Sequence, residues 1–80
     1  MKISIIVTLK EAVLDPQGKV IKETLKNMNF KGIHEVRQGK YFEIEIDETN
    51  FTNAKTKAEE LCKKLLANLV IEEYRIIEKI

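Results

Sequence analysis

The chain has 80 residues, with fourteen Lys and Arg against thirteen Asp and Glu, one histidine and one cysteine. That length fits a single domain over 1–80, and the near-neutral balance gives no electrostatic ground for a nucleic-acid or membrane partner. Cys62 alone excludes an intrachain disulfide, no zinc spacing joins it to His34, and no apolar run approaches the roughly 20 residues of a membrane span.

Met1-Lys2 opens directly on a strand pattern without a signal segment, so a reducing, cytoplasmic setting is expected. A core built from so few residues commonly needs reinforcement. With disulfide and metal set aside, a dimer or higher oligomer is expected.

Ile3, Ile5, Val7 and Leu9 alternate with Lys2, Ser4 and Thr8, the period-two pattern of a strand with one buried face. Ile6 interrupts the polar side, so that face is expected to be partly covered. Asp15-Pro16-Gln17-Gly18 reads as a helix start: the Asp15 carboxylate accepts from the free amides of a first turn, and Pro16 suits the first helical position. Gly18 is costly there by about 0.5–1 kcal/mol relative to alanine, which points to close approach by another backbone or to chance. From Pro16 to about Asn29, Val20, Ile21, Leu25 and Met28 share one helical side, and Asn27, Asn29 and Gly32 bracket the end.

Phe42, Ile44 and Ile46 then alternate with Tyr41, Glu43, Glu45 and Asp47 in a second strand. Upstream, Ile33–Gln38 is extended in character and Gly39 interrupts it. The segment Ile33–Asp47 is either a hairpin turning at Gln38-Gly39 or one long strand bent at Gly39. Asn50, Thr52 and Asn53 offer capping oxygens to a second helix. Its stripe runs Ala54, Ala58, Leu61, Cys62, Leu65, Leu66, Leu69, which places Leu65 in the core. After Asn68, Val70–Ile77 reads as a final strand reaching the C-terminus. Two helices alternating with three or four strands give an α+β fold, a two-layer sandwich with both helices on one face of an antiparallel sheet, ferredoxin-like if the middle segment is a hairpin.

No residue set resembles an active site. His34 has no neighbour in sequence to orient it. Cys62 lies within an apolar stripe, where a free cysteine packs as a small hydrophobe. Glu43, Glu45 and Asp47 sit about 7 Å apart along one strand face; paired carboxylates can serve acid–base chemistry or bind a metal, but with lysines nearby a solvated or cross-strand-paired face is expected. The helix lysines are interleaved with glutamates and read as solvated faces. Gly18, Gly32 and Gly39 form no phosphate-cradling loop. Catalytic, cofactor-binding and metal residues are therefore expected to be absent from this chain. RNA binding is the weakest reading: Tyr41 and Phe42 point to opposite faces, and Glu43, Glu45 and Asp47 make Tyr41's face acidic. A small dimeric ligand-sensing regulatory domain of ferredoxin-like topology is the alternative.

Two further segments go beyond a bland fold. Arg37-Gln38-Gly39-Lys40-Tyr41 puts two cations around a glycine, and Leu65–Asn68 ends an apolar helix before Val70–Tyr74. Together with Asp15-Pro16-Gln17-Gly18, the runs Val36–Tyr41, Cys62–Asn68 and Val70–Tyr74 resemble the PurS family, whose members are the small subunit of phosphoribosylformylglycinamidine synthase. The likeness covers the whole chain in the same order. Where the family usually has glycine this chain has Ala12, and where it usually has proline this chain has Leu69.

The resemblance implies a PurS-like fold and a chain without catalytic groups. Such a chain joins a PurL-like, ATP-dependent synthetase to a PurQ-like glutaminase in de novo purine biosynthesis. ATP and Mg would belong to the synthetase, and glutamine-derived ammonia would convert FGAR to FGAM. Holding the two sites together raises the effective ammonia concentration at the acceptor. The resemblance further implies a dimer, and it marks Asp15, Gln17, Gly18, Arg37, Lys40, Asn68 and Tyr74 as contacts to the partner subunits or across the dimer.

Overall fold

A computed structural model describes residues 1–78. Strand β1 (Lys2–Leu9) is followed by α1 (Pro16–Asn27), β2 (Gly39–Glu45), α2 (Phe51–Leu61) with a π-helical turn (Cys62–Leu66), and β3 (Glu72–Glu78). The three strands form one antiparallel sheet in the order β2-β1-β3. This is the α+β class expected. The middle segment is neither a hairpin nor a continuous strand, because residues 33–38 carry no ladder and pairing starts at Gly39. The final strand starts at Glu72 rather than Val70, since residues 69–71 form a turn. Its expected extension to the C-terminus falls on residues 79 and 80, outside the described residues.

Alternation decides which face is buried. Ile3, Ile5 and Val7 are fully buried on one side of β1, opposite Ile44, Phe42 and Lys40 of β2 and beside Ile76 and Tyr74 of β3. Ala54, Ala58 and Cys62 press onto that face, and Ile46 closes the cluster. On the other face Ser4 is buried and its hydroxyl lies 2.9 Å from the Tyr41 hydroxyl. Ile6 there is half-buried, as its place in the pattern suggested.

Connectivity explains why only one helix covers the sheet. β2 and β3 are both antiparallel to β1, so they run in the same direction and the segment joining them must return along the sheet. Helix α2 makes that return and is pinned onto the core. In contrast, β1 ends where the antiparallel β2 begins, so α1 need not cross the sheet. Beyond its first turn α1 is little covered by the sheet, and its stripe stays open: Val20 is 59% and Met28 61% exposed. The radius of gyration is 15.9 Å, against ~12 Å for a compact domain of this length.

Leu65 is not in the core. It is 78% exposed, while Leu66 packs against the cluster. The cause is the π turn, in which the Ala67 amide donates to the Cys62 carbonyl at 3.0 Å. An i→i+5 turn holds an extra residue, so position 66 returns to the buried line and 65 swings outward.

Candidate interaction surface

The end of the sheet where β1 finishes gathers most of the residues singled out by sequence. Asp15 caps α1 and is 5% exposed. One carboxylate oxygen accepts from the Gly18 amide at 2.9 Å, the other from the Gln38 amide at 2.6 Å. Asp15 thereby ties the start of α1 to the chain entering β2. The Gln38 amide, then the Gly18 amide, hold its carboxyl below the usual range, against the opposing effect of burial.

Gly18 accounts for the closeness of that junction. A Cβ there would overlap the Val36 carbonyl oxygen and lie 2.9 Å from the Val36 carbonyl carbon. Close approach by another backbone is thus the reason for this glycine, and the backbone belongs to the same chain. Arg37 adds a second tie. Its Nη2 donates to the carbonyls of Leu9 (3.4 Å), Lys10 (3.0 Å) and Val13 (3.1 Å), closing the β1–α1 loop onto the segment before β2. The two hydrogens of that one nitrogen are shared among the three carbonyls, the contact to Leu9 being the longest.

Lys40, Val7 and Tyr74 form one row across the three strands. The Lys40 ammonium reaches over β1 to Glu72 on β3, with Nζ 3.4 Å from Oε2. The other Glu72 oxygen accepts from the Asn68 amide at 2.7 Å. That amide, followed by Lys40, lowers the Glu72 carboxyl pKa against burial. Asn68 also organises the turn into β3: its Oδ1 accepts from Val70 at 3.2 Å, and its carbonyl accepts from Ile71 and Glu72 at 3.0 and 2.7 Å. Leu69 occupies the second position of this turn, which tolerates the proline usual at that place.

Asp15, Gln17, Lys40 and Glu72 line one shallow hollow of about 230 Å³ beside Val7 and Leu9. Gly18 and Arg37 flank it, Asn68 anchors one wall through Glu72, and Tyr74 sits half-buried one step along β3. Gln17, Arg37, Lys40 and Asn68 present surface, whereas Asp15 and Gly18 are interior. Sequence reasoning missed Glu72 and Gln38 as organisers. Their signal was only their place inside the segments already singled out. The arrangement offers amide, ammonium, guanidinium and phenol groups on a rigid edge, which suits recognition of another protein surface. Among the described residues no group of three or more His, Cys, Asp or Glu could hold a metal ion, and no helix is long and apolar enough to cross a membrane.

The sequence matches, over residues 2–79, the family described as PurS: Phosphoribosylformylglycinamidine (FGAM) synthase. It is 43% identical to the phosphoribosylformylglycinamidine synthase subunit PurS of Bacillus subtilis, over 92% of this chain and 87% of that protein. The crystal structure of Methanocaldococcus jannaschii PurS, one of the subunits of formylglycinamide ribonucleotide amidotransferase, superposes with a TM-score of 0.88 at 44% identity, covering 99% of this chain and 96% of that one. A chain in the structure of PurLQS from Thermotoga maritima gives a TM-score of 0.89 at 31% identity, covering 98% and 95%.

Proposed function

The chain belongs to the PurS family, and from that premise we propose its work in the cell: it is the non-catalytic small subunit of phosphoribosylformylglycinamidine synthase. It bridges the ATP-dependent synthetase and the glutaminase, so that ammonia released from glutamine converts FGAR to FGAM in purine biosynthesis. The observation that carries this is likeness along nearly the full length, in sequence and in backbone, to PurS chains including one from a PurLQS structure. ATP and magnesium act in the partner synthetase, within the cytoplasm. The 80 residues serve as one domain.

Within this reading the exposed Gln17, Arg37, Lys40 and Asn68, with half-buried Tyr74, meet a partner subunit or a second copy, while Asp15 and Gly18 hold that surface in shape. A dimer is part of the proposal. It is supported by the open apolar stripe of α1 and by an elongated chain that cannot cover that stripe itself.

The test is reconstitution with the host's synthetase and glutaminase. Glutamine-dependent FGAM formation is measured with and without this chain, and ammonia-dependent turnover of the synthetase serves as control. Glutamine should support turnover only when the chain is present. Equal glutamine use without it refutes the bridging role.

A further inference from the structure

Helix α1 ends in a way that builds a second, basic concavity far in character from the surface above. Asn29 adopts φ 65°, the Asn29 amide donates to Lys26 O at 3.1 Å and the Phe30 amide to Leu25 O at 3.1 Å. This is a Schellman closure, in which the chain reverses just past the helix. Gly32, at φ 80°, continues the reversal in a conformation that side chains with a Cβ rarely adopt. Residues 30–33 therefore fold back against the lysine side of α1.

The result is a hollow of about 580 Å³ walled by Lys19, Lys22, Lys26, Lys31, Glu23 and Phe30, within the volume range of small-molecule sites. Lys19, Lys22 and Lys26 follow one another at three- and four-residue steps, so their ammoniums share one strip spanning ~10 Å of helix. Lys31 faces it from the returning segment. None of the four lysines is in an ion pair among the described residues. Four positive charges outweigh Glu23 and the fractional negative charge of the helix C-terminus. Phe30, 54% exposed, adds a flat apolar ring at the same mouth. The interleaving of lysines with glutamates is sparse on α1, where Glu23 is the sole acid between Pro16 and Asn27.

We infer that this hollow binds the polyphosphate chain of a nucleotide, with the four lysines on the phosphates and Phe30 against the base. Several closely spaced ammoniums favour a ligand whose negative charges are equally closely spaced, and an exposed aromatic ring stacks on any base. The site lies outside the proposed bridging function and stands or falls independently of it.

Equilibrium titration of the isolated full chain with ATP, AMP and inorganic tripolyphosphate at about 150 mM salt tests this, with amide shifts of Phe30 and Gly32 followed by NMR. ATP should saturate and bind at least tenfold more tightly than AMP. The double variant K22E/K26E should weaken ATP at least tenfold, while K63E/K64E, a control pair on the π turn, should leave it unchanged. F30A should weaken ATP but not tripolyphosphate. Circular dichroism of each variant reports retained folding, and the NMR shifts of the unaltered chain localise binding even where a variant fails to fold. Absence of saturation by millimolar ATP, or equal weakening by both lysine pairs, overturns the site. An F30A effect of nil overturns the nucleotide and leaves inorganic polyphosphate. If instead an acidic peptide saturates the hollow and ATP does not, the inference is equally refuted.

Discussion

Replacing Gly18 with alanine sets two physical effects against each other. Helix propensity alone favours the change: alanine in the first turn of α1 should stabilise by about 0.5–1 kcal/mol. Tertiary structure opposes it. The new methyl would overlap the Val36 carbonyl oxygen and lie 3.0 Å from the Asp15 carboxylate. Neither neighbour can simply turn away. Val36 is backbone, and the next residues are tethered by Arg37 to three carbonyls and by the Gln38 amide to Asp15.

Overpacking of this kind costs about 1–3 kcal/mol. After the propensity gain, a net loss of about 1–2 kcal/mol is expected, out of a total near 4–12 kcal/mol for this length. Thermal melting by circular dichroism, at fixed protomer concentration, should show Tm falling by about 5–15 °C. Hydrogen exchange at the Gln38 amide should accelerate, because its acceptor is pushed aside. A Tm equal to or above that of the unmodified chain would refute the reasoning, since it would mean that α1 and the 36–38 segment separate without cost.

The remaining predictions concern the core, the turn, the guanidinium tie and pH. Ile5→Ala, in the fully buried row, should cost about 2–5 kcal/mol in chemical denaturation, whereas Leu65→Ala should stay within about 0.5 kcal/mol; similar losses at both would place Leu65 in the core after all. Leu69→Pro should raise stability by about 0.4–1 kcal/mol, because the Leu69 amide enters none of the turn's hydrogen bonds and its position suits proline; a lower denaturation midpoint would show that the backbone there is incompatible. Arg37→Met should lower stability by about 1 kcal/mol through loss of the shared carbonyl contacts, a modest figure because the site is partly solvated; an unchanged midpoint would show the contacts to be energetically idle. Asp15 and Glu72 both have folded pKa values below their unfolded ones, so each contributes stability present above the ordinary carboxylate pKa and lost as pH falls through the lowered folded value. Melting profiles below about pH 4 should therefore steepen with acid in the unmodified chain and flatten in Asp15→Asn; parallel profiles would mean that the capping carboxylate does not carry the acid dependence.

The local elements were legible from the residues because their signals are local. Alternation along Ile3–Leu9 and Phe42–Ile46 needs only a pleated strand with one dry side, and Asp15-Pro16 needs only the free amides of a helix start. The segments carrying the family resemblance named six positions that the fold draws to one end of the sheet, with Tyr74 beside them. Even the reason for Gly18, close approach by a backbone, was open to sequence reasoning; that the backbone is Val36 of the same chain was not.

What only the tertiary structure decided follows from strand order and helix phase. An amphipathic stripe says that a helix face wants cover without saying what provides it. With β1 central and antiparallel to both neighbours, the β2–β3 connection must cross the sheet and the β1–β2 connection need not. Hence α2 is buried while α1, with an equally apolar stripe, is left open. The same holds on a smaller scale at the end of α2, where one π turn keeps Leu66 against the core and turns Leu65 out. A periodicity of 3.6 cannot foresee that slip, because it arises from how the turn closes between Cys62 and Ala67. The Lys40–Glu72–Asn68 chain likewise joins residues distant in sequence, and it exists only because the sheet sets β2 and β3 on either side of β1.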